Sequence, residues 1–514
     1  VGASGPPFER RFSSSPRLAG RAPRLGVLMV ASEVSPWAKT GGLADVAGAL
    51  PEALEQLGHR TTIVLPRYRG LDALGAPGAA ETIRLGRFVH DVRFVVADLT
   101  PDRRVVAVDV PQLFERDGYY GQGGVDFPDN SERFGILAAA ALRFAETHLG
   151  DHPIDIVHAH DWQAGLAPVL LDTDPGAYPR LARAGRVFTI HNLAYQGLFP
   201  REAVPALGLP WSAFGIETGE FWNQFSFLKA GITYSDFVTT VSPAYARETR
   251  TREFGAGMEG VLGARGESYV GILNGIDTRA WDPAADPLLP AHFDAADLSG
   301  KAANKRALLA RFGLARGDDA LARPVVGLVS RLVEQKGLGV IEAASDALAA
   351  LDATWVFVGT GEPRFEGFLR EWAAAYPARV GVHIGFDEAL AHLVEAGADM
   401  FLMPSTFEPC GLNQMYSLRY GTVPVVSAVG GLDDTIRPYT TRARRANGFK
   451  IRRLSPESLV RTLKQAIRLY GDRDAWLRLV RAGMAADHSW ETSAREYVKV
   501  YRRARLDAVR RTAR

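Results

Sequence analysis

Apolar residues in this chain gather in short runs, separated by stretches in which they recur every three or four positions, a pattern of strands followed by helices. Residues 25–31 read as a buried strand leading through Lys39-Thr40-Gly41-Gly42-Leu43-Ala44-Asp45 into a helix marked by Leu43, Val46, Ala47, Leu50, Leu54 and Leu57. Pro51 predicts a break or kink at Leu50, because proline lacks the N–H and its ring crowds the preceding turn. Further strands are predicted at residues 61–65, 154–157, 187–190, 237–241 and 270–273, each ending in a polar or Gly-containing turn. Strands alternating with helices predict an α/β architecture with a parallel, doubly wound sheet.

The pattern lapses between residues 277 and 301, where Trp281-Asp282-Pro283, Asp286-Pro287 and Leu289-Pro290 mark a linker. It restarts with strands predicted at 324–330, 354–358, 382–384, 400–403 and 423–426, so the second half repeats the plan of the first. The loop 331–337 precedes a helix carrying Leu338, Ile341, Leu348 and Leu351, as the Lys39 loop precedes its own. At 514 residues the chain exceeds what one core organises, and two such lobes facing one cleft follow. Ligands in sheets of this kind bind beyond the carboxyl ends of the strands, where these loops lie.

Composition narrows the classes. Lys and Arg number 60 against 58 Asp and Glu, so a net charge of +2 gives no case for a nucleic-acid or membrane-surface partner, and any anion site must be local. No run reaches the roughly 20 apolar residues of a membrane helix. One cysteine, Cys410, excludes an internal disulfide framework and fits a reducing, cytoplasmic compartment. The first 23 residues are rich in Arg, Ser, Pro and Gly with Glu9 the only acid. They lack the apolar core of roughly 7–15 residues that a secretory signal needs, leaving a transit peptide, a disordered extension, a misassigned start or an expression scar.

Several short motifs place chemistry at strand ends. Lys39 before Gly41-Gly42 sets a cation beside free N–H groups at a helix start, a cradle for phosphate, although a solvated lysine before an ordinary helix reads the same way. It is not a Walker loop, in which the lysine follows the glycines. Arg331 and Lys336 stand five apart on a turn after a strand and can neutralise a diphosphate leaving group, where the bland alternative is two surface cations. Glu408, between a strand and a helix start, can stay ionised to hold sugar hydroxyls or steady developing positive charge, or simply cap the helix. Cys410 has no histidine near in sequence and reads as a structural thiol. His158 and His160 alternate on one strand, yet no third ligand pattern supports a metal, and none is expected. His191 ends another strand at the presumed cleft. Asp129 reads first as a helix cap and second as a contact to a substrate hydroxyl. Gly359-Thr360-Gly361 opens like a dinucleotide fingerprint, but Arg364 replaces its third glycine, so no nicotinamide or flavin cofactor is expected.

These residues resemble the bacterial glycogen synthases and plant starch synthases, retaining glycosyltransferases of the GT-B fold. The resemblance runs from about residue 24 onward. It rests on Lys39-Thr-Gly-Gly-Leu-Ala-Asp45, His158-Ala-His-Asp-Trp-Gln163, His191-Asn-Leu-Ala-Tyr-Gln-Gly197, Val241-Ser-Pro-Ala-Tyr-Ala246, Leu273-Asn-Gly-Ile-Asp277, Ser330-Arg331 with Lys336-Gly337, Phe407-Glu-Pro-Cys-Gly-Leu412 and Arg419-Tyr-Gly-Thr422. It implies two Rossmann-like domains about a central cleft. The division is then a leader or disordered extension (1–23), an acceptor-side domain (24–276), a linker with connecting helix (277–323), a nucleotide-sugar domain (324–490) and a C-terminal helix packing back on the first domain (491–514).

The same resemblance implies transfer of glucose from ADP-glucose, with UDP-glucose the other candidate donor, to the non-reducing 4-hydroxyl of an α-1,4-glucan such as glycogen, with retention. It implies that Lys39, Gly41 and Gly42 approach the donor, that Asp45 supports their loop, and that Arg331 and Lys336 stabilise departing ADP. Glu408 then steadies the glucosyl transition state, with the N–H groups of Cys410, Gly411 and Leu412 at the sugar. His191 contacts a glucose hydroxyl, Asn274, Asp129 and His160 lie on the sugar or acceptor side, and a front-face displacement needs no metal. The chain departs from many relatives at Phe386, which keeps adenine stacking and loses a phenol hydroxyl, and at Asn413, where some carry threonine. A glucan-binding regulatory protein, a phosphorylase and a sugar-nucleotide epimerase are the competing readings. The leaving-group cations count against the first, and no pyridoxal-lysine context supports the second.

Overall fold

The computed structural model describes residues 23–71, 74–150, 152–314, 319–443 and 445–512. The basic N-terminal stretch therefore lies, up to residue 22, outside the described residues. The first strand, Gly26–Val30, is buried along its whole length, as expected of a parallel strand covered on both faces. It pairs in parallel with Arg60–Pro66 on one side and Ile156–His160 on the other. The sheet continues through Gly185–Ile190, Phe237–Thr240 and Tyr269–Gly271 at one end and Arg103–Asp109, Phe88–Thr100 and Glu81–Leu85 at the other, nine strands in all.

Phe88–Thr100 and Glu81–Leu85 are antiparallel and form an edge that the hydrophobic pattern did not predict. Their polar and charged positions face solvent on one side, so no continuous apolar run announces them. The second sheet has six parallel strands in the order Val380–Ile384, Thr354–Gly359, Val325–Val329, Met400–Met403, Val423–Ser427 and Phe449–Ile451. This is the doubly wound arrangement of a nucleotide-binding lobe. The fold is thus α/β with two parallel-sheet lobes, the GT-B architecture.

Pro51 does not break its helix, which runs unbroken as Gly42–Gln56. The proline is itself buried among Leu50, Ala53 and Leu54, and packing of that face onto the sheet and the C-terminal helix outweighs the single backbone hydrogen bond lost. The C-terminal helix Trp490–Thr512 lies on the first lobe against Gly185–Ile190 and Gly42–Gln56. It buries Trp490, Tyr497, Val498, Val500 and Tyr501, which at about 2 kcal/mol each stabilise the crossing by on the order of 10 kcal/mol, an upper figure. Ion pairs at the same surface, such as Arg505 with Asp155, each add at most about 1 kcal/mol.

The linker is fastened to the second lobe. Trp281 stacks between His392 and Tyr416, with ring centroids 3.7 and 3.8 Å away. Asp286 accepts a hydrogen bond from Tyr420 Oη at 2.6 Å and pairs with His392 Nδ1 at 2.7 Å. The lobes also touch directly, through Ala244 N–H on Asp434 and Gly430 N–H on Glu248, at 2.6 and 2.8 Å.

Candidate active site

In each lobe the first strand lies where strand order reverses, and each reversal opens a crevice at the carboxyl ends. From the first lobe the loops after Gly26–Val30 and Ile156–His160 enter this crevice. From the second come the loops after Val325–Val329 and Met400–Met403. Together they enclose a cavity of about 1120 Å³ walled by both lobes.

The second lobe supplies the charge. Arg331 and Lys336 lie on the turn after Val325–Val329 and both line the cavity. Gly337 ends this turn at φ 76°, and a Cβ there would stand 1.9 Å from the Pro404 carbonyl oxygen, so only glycine lets the two loops meet. Glu408 is buried across from the turn. Its Oε2 accepts from Lys336 Nζ at 2.6 Å and from Ser405 Oγ at 2.9 Å. The Arg331 side chain makes no ion pair among the described residues and faces the open cavity. Cys410, Gly411 and Leu412 line the same wall, and Asn413 is anchored by donation from Nδ2 to the Val329 carbonyl at 2.7 Å. Burial pushes the Cys410 thiol up to about 12, so it is no nucleophile at neutral pH.

The first lobe supplies a tightly bonded rim with no lysine or arginine on the cavity wall. Glu33, 3% exposed, accepts from the Thr40 and Gly41 N–H groups, from Thr40 Oγ1 at 2.7 Å and from Tyr120 Oη. It thereby holds the Gly41-Gly42 turn, whose helix start has no side-chain cap and keeps N–H groups available. Asp161, at φ 55°, accepts from the His191 N–H at 2.7 Å. Burial raises its carboxyl to about 7. His191 Nε2 and His160 Nδ1 share a hydrogen bond of 3.0 Å. Burial, and for His191 the neighbouring His160, keeps both rings neutral, with His160 lowered to about 3. The rim therefore offers hydrogen bonds without net cationic charge.

Of the residues picked from sequence, Arg331, Lys336, Glu408, His191, Gly41, Gly42, Asn274, Cys410, Gly411 and Leu412 line one cavity. Lys39 is not among its walls: half exposed, it pairs with Asp45 at 2.7 Å. His160 stands behind His191. Asp129 sits at the start of the helix Asn130–Thr147 but makes no side-chain cap. Arg116 offers it two charged donors at 2.8 and 2.5 Å, stronger partners than backbone N–H groups, and these replace the expected capping bond. Phe386 is 88% exposed at the end of Val380–Ile384, outside the cavity wall. His158 bonds Tyr501 and Thr189 at 2.9 and 2.6 Å, and no three His, Cys, Asp or Glu side chains among the described residues are grouped to hold a metal. Gly361, from the dinucleotide-like motif, packs on the Leu332 backbone, where a Cβ would meet the carbonyl oxygen at 2.3 Å. Glu33 and Asp161 were missed. Asp161 directly follows the strand Ile156–His160, and Glu33 stands three positions beyond Gly26–Val30; that placement past a strand is the signal that would have marked them.

Comparison with known proteins gives the same picture. The family described as "Starch synthase catalytic domain" matches residues 26–264, and "Glycosyl transferases group 1" matches 318–478. A glycogen synthase of Anaeromyxobacter dehalogenans strain 2CP-C is 50% identical over 477 residues, covering 93% of this chain and 99% of that one. The chain belongs to the glycogen synthase and starch synthase family. Its members are retaining glycosyltransferases. A glycogen synthase of Myxococcus xanthus is 46% identical over 482 residues, with 93% and 99% coverage. The catalytic domain of Starch Synthase IV from Arabidopsis thaliana, solved bound to ADP and acarbose, superposes with a TM-score of 0.82 at 32% identity, covering 94% of this chain and all of that one. A sucrose-phosphate synthase from Thermosynechococcus elongatus, 18% identical with TM-score 0.59, shares the fold. No helix among the described residues is long and apolar enough to cross a membrane.

Proposed function

We propose that this member of the family elongates an α-1,4-glucan by glucosyl transfer from ADP-glucose with retention of configuration. The observation that carries the reading is the meeting in one cavity of Arg331, Lys336 and Glu408 from the second lobe with Glu33, Asp161 and His191 from the first. At about 1120 Å³ the cavity has room for a nucleotide sugar and the end of an acceptor chain. The relative solved with ADP and acarbose supports this choice of ligands.

In this mechanism the diphosphate lies between Arg331 and Lys336, with the N–H groups of Cys410, Gly411 and Leu412 at the sugar. The bond from the glucosyl anomeric carbon to the β-phosphate oxygen breaks, and its electron pair stays on ADP, where the two cations offset the charge. The acceptor 4-hydroxyl attacks the same face and passes its proton to the departing phosphate. Glu408 steadies the positive charge on the ring. Lys336 already pairs with Glu408, so both charges are placed before the donor arrives. His191, neutral, accepts from or donates to a glucose hydroxyl, and its backbone carbonyl faces the reacting centre. Gly41 and Gly42 close over the donor, with Lys39 and Asp45 as the outer brace of their loop. Asn274 lies nearer the sugar, and Phe386 swings against adenine as the lobes close. Asp129 and His160 act from behind, through Arg116 and His191. No metal or cofactor takes part.

Residues 24–276 form the acceptor-side domain and 324–490 the donor-side domain in this reading, with 277–323 the connection and 491–514 a strap back to the first. A cytoplasmic location belongs to it too, since a single buried thiol fits a reducing compartment. Radiolabelled ADP-glucose and UDP-glucose offered with glycogen test the proposal. Incorporation from ADP-glucose above UDP-glucose is expected, and none from either donor would refute it.

A further inference from the structure

We infer that the acceptor glucan leaves the cavity across a small neighbouring sheet and that Trp222, at its far edge, forms an outer subsite for the chain. This rests on the glucan-elongating reading above. The strand Leu198–Pro200 lines the cavity and pairs antiparallel with Gln224–Ser226, which pairs in turn with Glu220–Phe221. Pro200, Gln224 and Phe221 stand in one row across this sheet, so the turn that follows Phe221 lies two strand spacings, about 10 Å, from the cavity wall.

Trp222 and Asn223 form that turn, with φ of 52° and 62°. Two residues in the left-handed region suit a tight hairpin, but asparagine, aspartate or glycine ordinarily fills the first place, and a bulky aromatic there is strained. The fold gains little from the ring in return, since Trp222 is 80% exposed. Strain kept at an exposed aromatic points to a use outside the fold. The turn is nonetheless fixed: Asn223 N–H donates to Glu220 Oε1 at 2.7 Å, and a Cβ at Gly257 would stand 3.6 Å from Trp222 Nε1. The loop that carries Gly257 also ties this edge to the cavity mouth. Its Ala256 carbonyl accepts from Gln196 Nε2 at 2.9 Å, and Gln196 and its neighbour Tyr195 both line the cavity. Tyr195 is 58% exposed, so aromatic faces stand at both ends of the path, with half-open Leu198 between.

Aromatic faces at both ends of this path suit the apolar C–H faces of pyranose rings. The path's continuity with the cavity selects the ligand whose end must reach Glu408 and whose remainder must leave. A protein partner at the same hairpin is the competing occupant.

The test compares wild type with Trp222→Gly and Trp222→Phe, using maltose, maltoheptaose and glycogen as acceptors. Trp222→Gly should raise KM for maltoheptaose and glycogen about five- to tenfold, the worth of one stacking contact. It should leave kcat, KM for ADP-glucose and the rate with maltose unchanged, and Trp222→Phe should keep most of the affinity. Wild type should also be retarded in glycogen-containing native gels more than Trp222→Gly. Because glycine relieves the turn, Tm should not fall, which separates this role from a structural one. Equal KM changes for short and long acceptors, unchanged gel mobility, or a shift in sedimentation coefficient without acceptor-length dependence would overturn the inference while leaving the proposed reaction standing. Failure of wild type to glucosylate any acceptor would overturn the reaction itself, and the subsite with it.

Discussion

On the second-lobe rim, the groups facing the cavity carry full charges, and Lys336 and Glu408 are already paired at 2.6 Å while Arg331 stands open. On the first-lobe rim the histidines are neutral and bonded to each other, and Glu33 is consumed in holding the Gly41 turn. The contrast follows from the work proposed for each. A departing diphosphate needs fixed cations, whereas a sugar needs directed hydrogen bonds and no cation. Both rims grow from the same position in the same kind of sheet, so the difference lies in loop chemistry and not in architecture.

Removing the charged rim should have the largest effect. Glu408→Ala is expected to lower kcat by on the order of 10³-fold, since a charge matched to the transition state is lost. Its Tm should stay near wild type, and near-normal turnover in a folded variant would remove Glu408 from the mechanism. Lys336→Gln should lower kcat by roughly 10²-fold at saturating donor, with a smaller change in KM. An unchanged rate would place the diphosphate elsewhere.

The first-lobe rim should respond less. Glu33→Gln weakens charge-assisted bonds to the Thr40 and Gly41 N–H groups, worth about 1.5 kcal/mol, and should reduce kcat/KM about tenfold. If the variant matched wild type, the loop would be held by its packing alone. Phe386→Ala should raise KM for ADP-glucose a few-fold without lowering kcat, because only stacking worth about 1 kcal/mol is removed. Equal loss with UDP-glucose and ADP-glucose would speak against a contact to the base.

A last effect, on stability and not on turnover, concerns the support of the charged rim. Glu395, buried, accepts from Ser417 Oγ at 2.6 Å, and Ser417 lies on the helix Asn413–Arg419 behind Gly411 and Leu412. Burial raises its carboxyl from the ordinary 4.5 to about 8. Between these values the unfolded chain releases this proton and the folded chain keeps it. Stability from this group is therefore full below about pH 4.5 and lost as pH rises towards 8. Tm of Glu395→Gln, followed from pH 5 to 8, should fall less steeply than that of wild type. Parallel curves would show that Glu395 ionises freely.

Much of this was legible along the chain. The parallel strands were, because burial on both faces leaves continuous apolar runs such as Gly26–Val30 and Met400–Met403. Arg331, Lys336 and Glu408 were, because charged residues at the ends of such runs must sit at the carboxyl edge of a sheet. The antiparallel edge at Phe88–Thr100 was not, since solvent on one face breaks its pattern. Glu33 and Asp161 carried the same strand-end signal, but what they hold was not legible, because their partners lie as far off as Tyr120 and His191. Asp129 read as a cap because Arg116, which claims it, is adjacent only after the loop has folded.

Periodicity and the residues at strand ends thus determined the two lobes, the order of their strands along the chain and the identity of the charged groups, because burial and backbone hydrogen bonding act locally. Only the tertiary structure decided which groups share a cavity, which histidines stay neutral, and where Trp222 stands relative to the mouth. Those properties depend on distances between residues far apart in sequence and on the water their packing excludes, and neither is encoded at any single position.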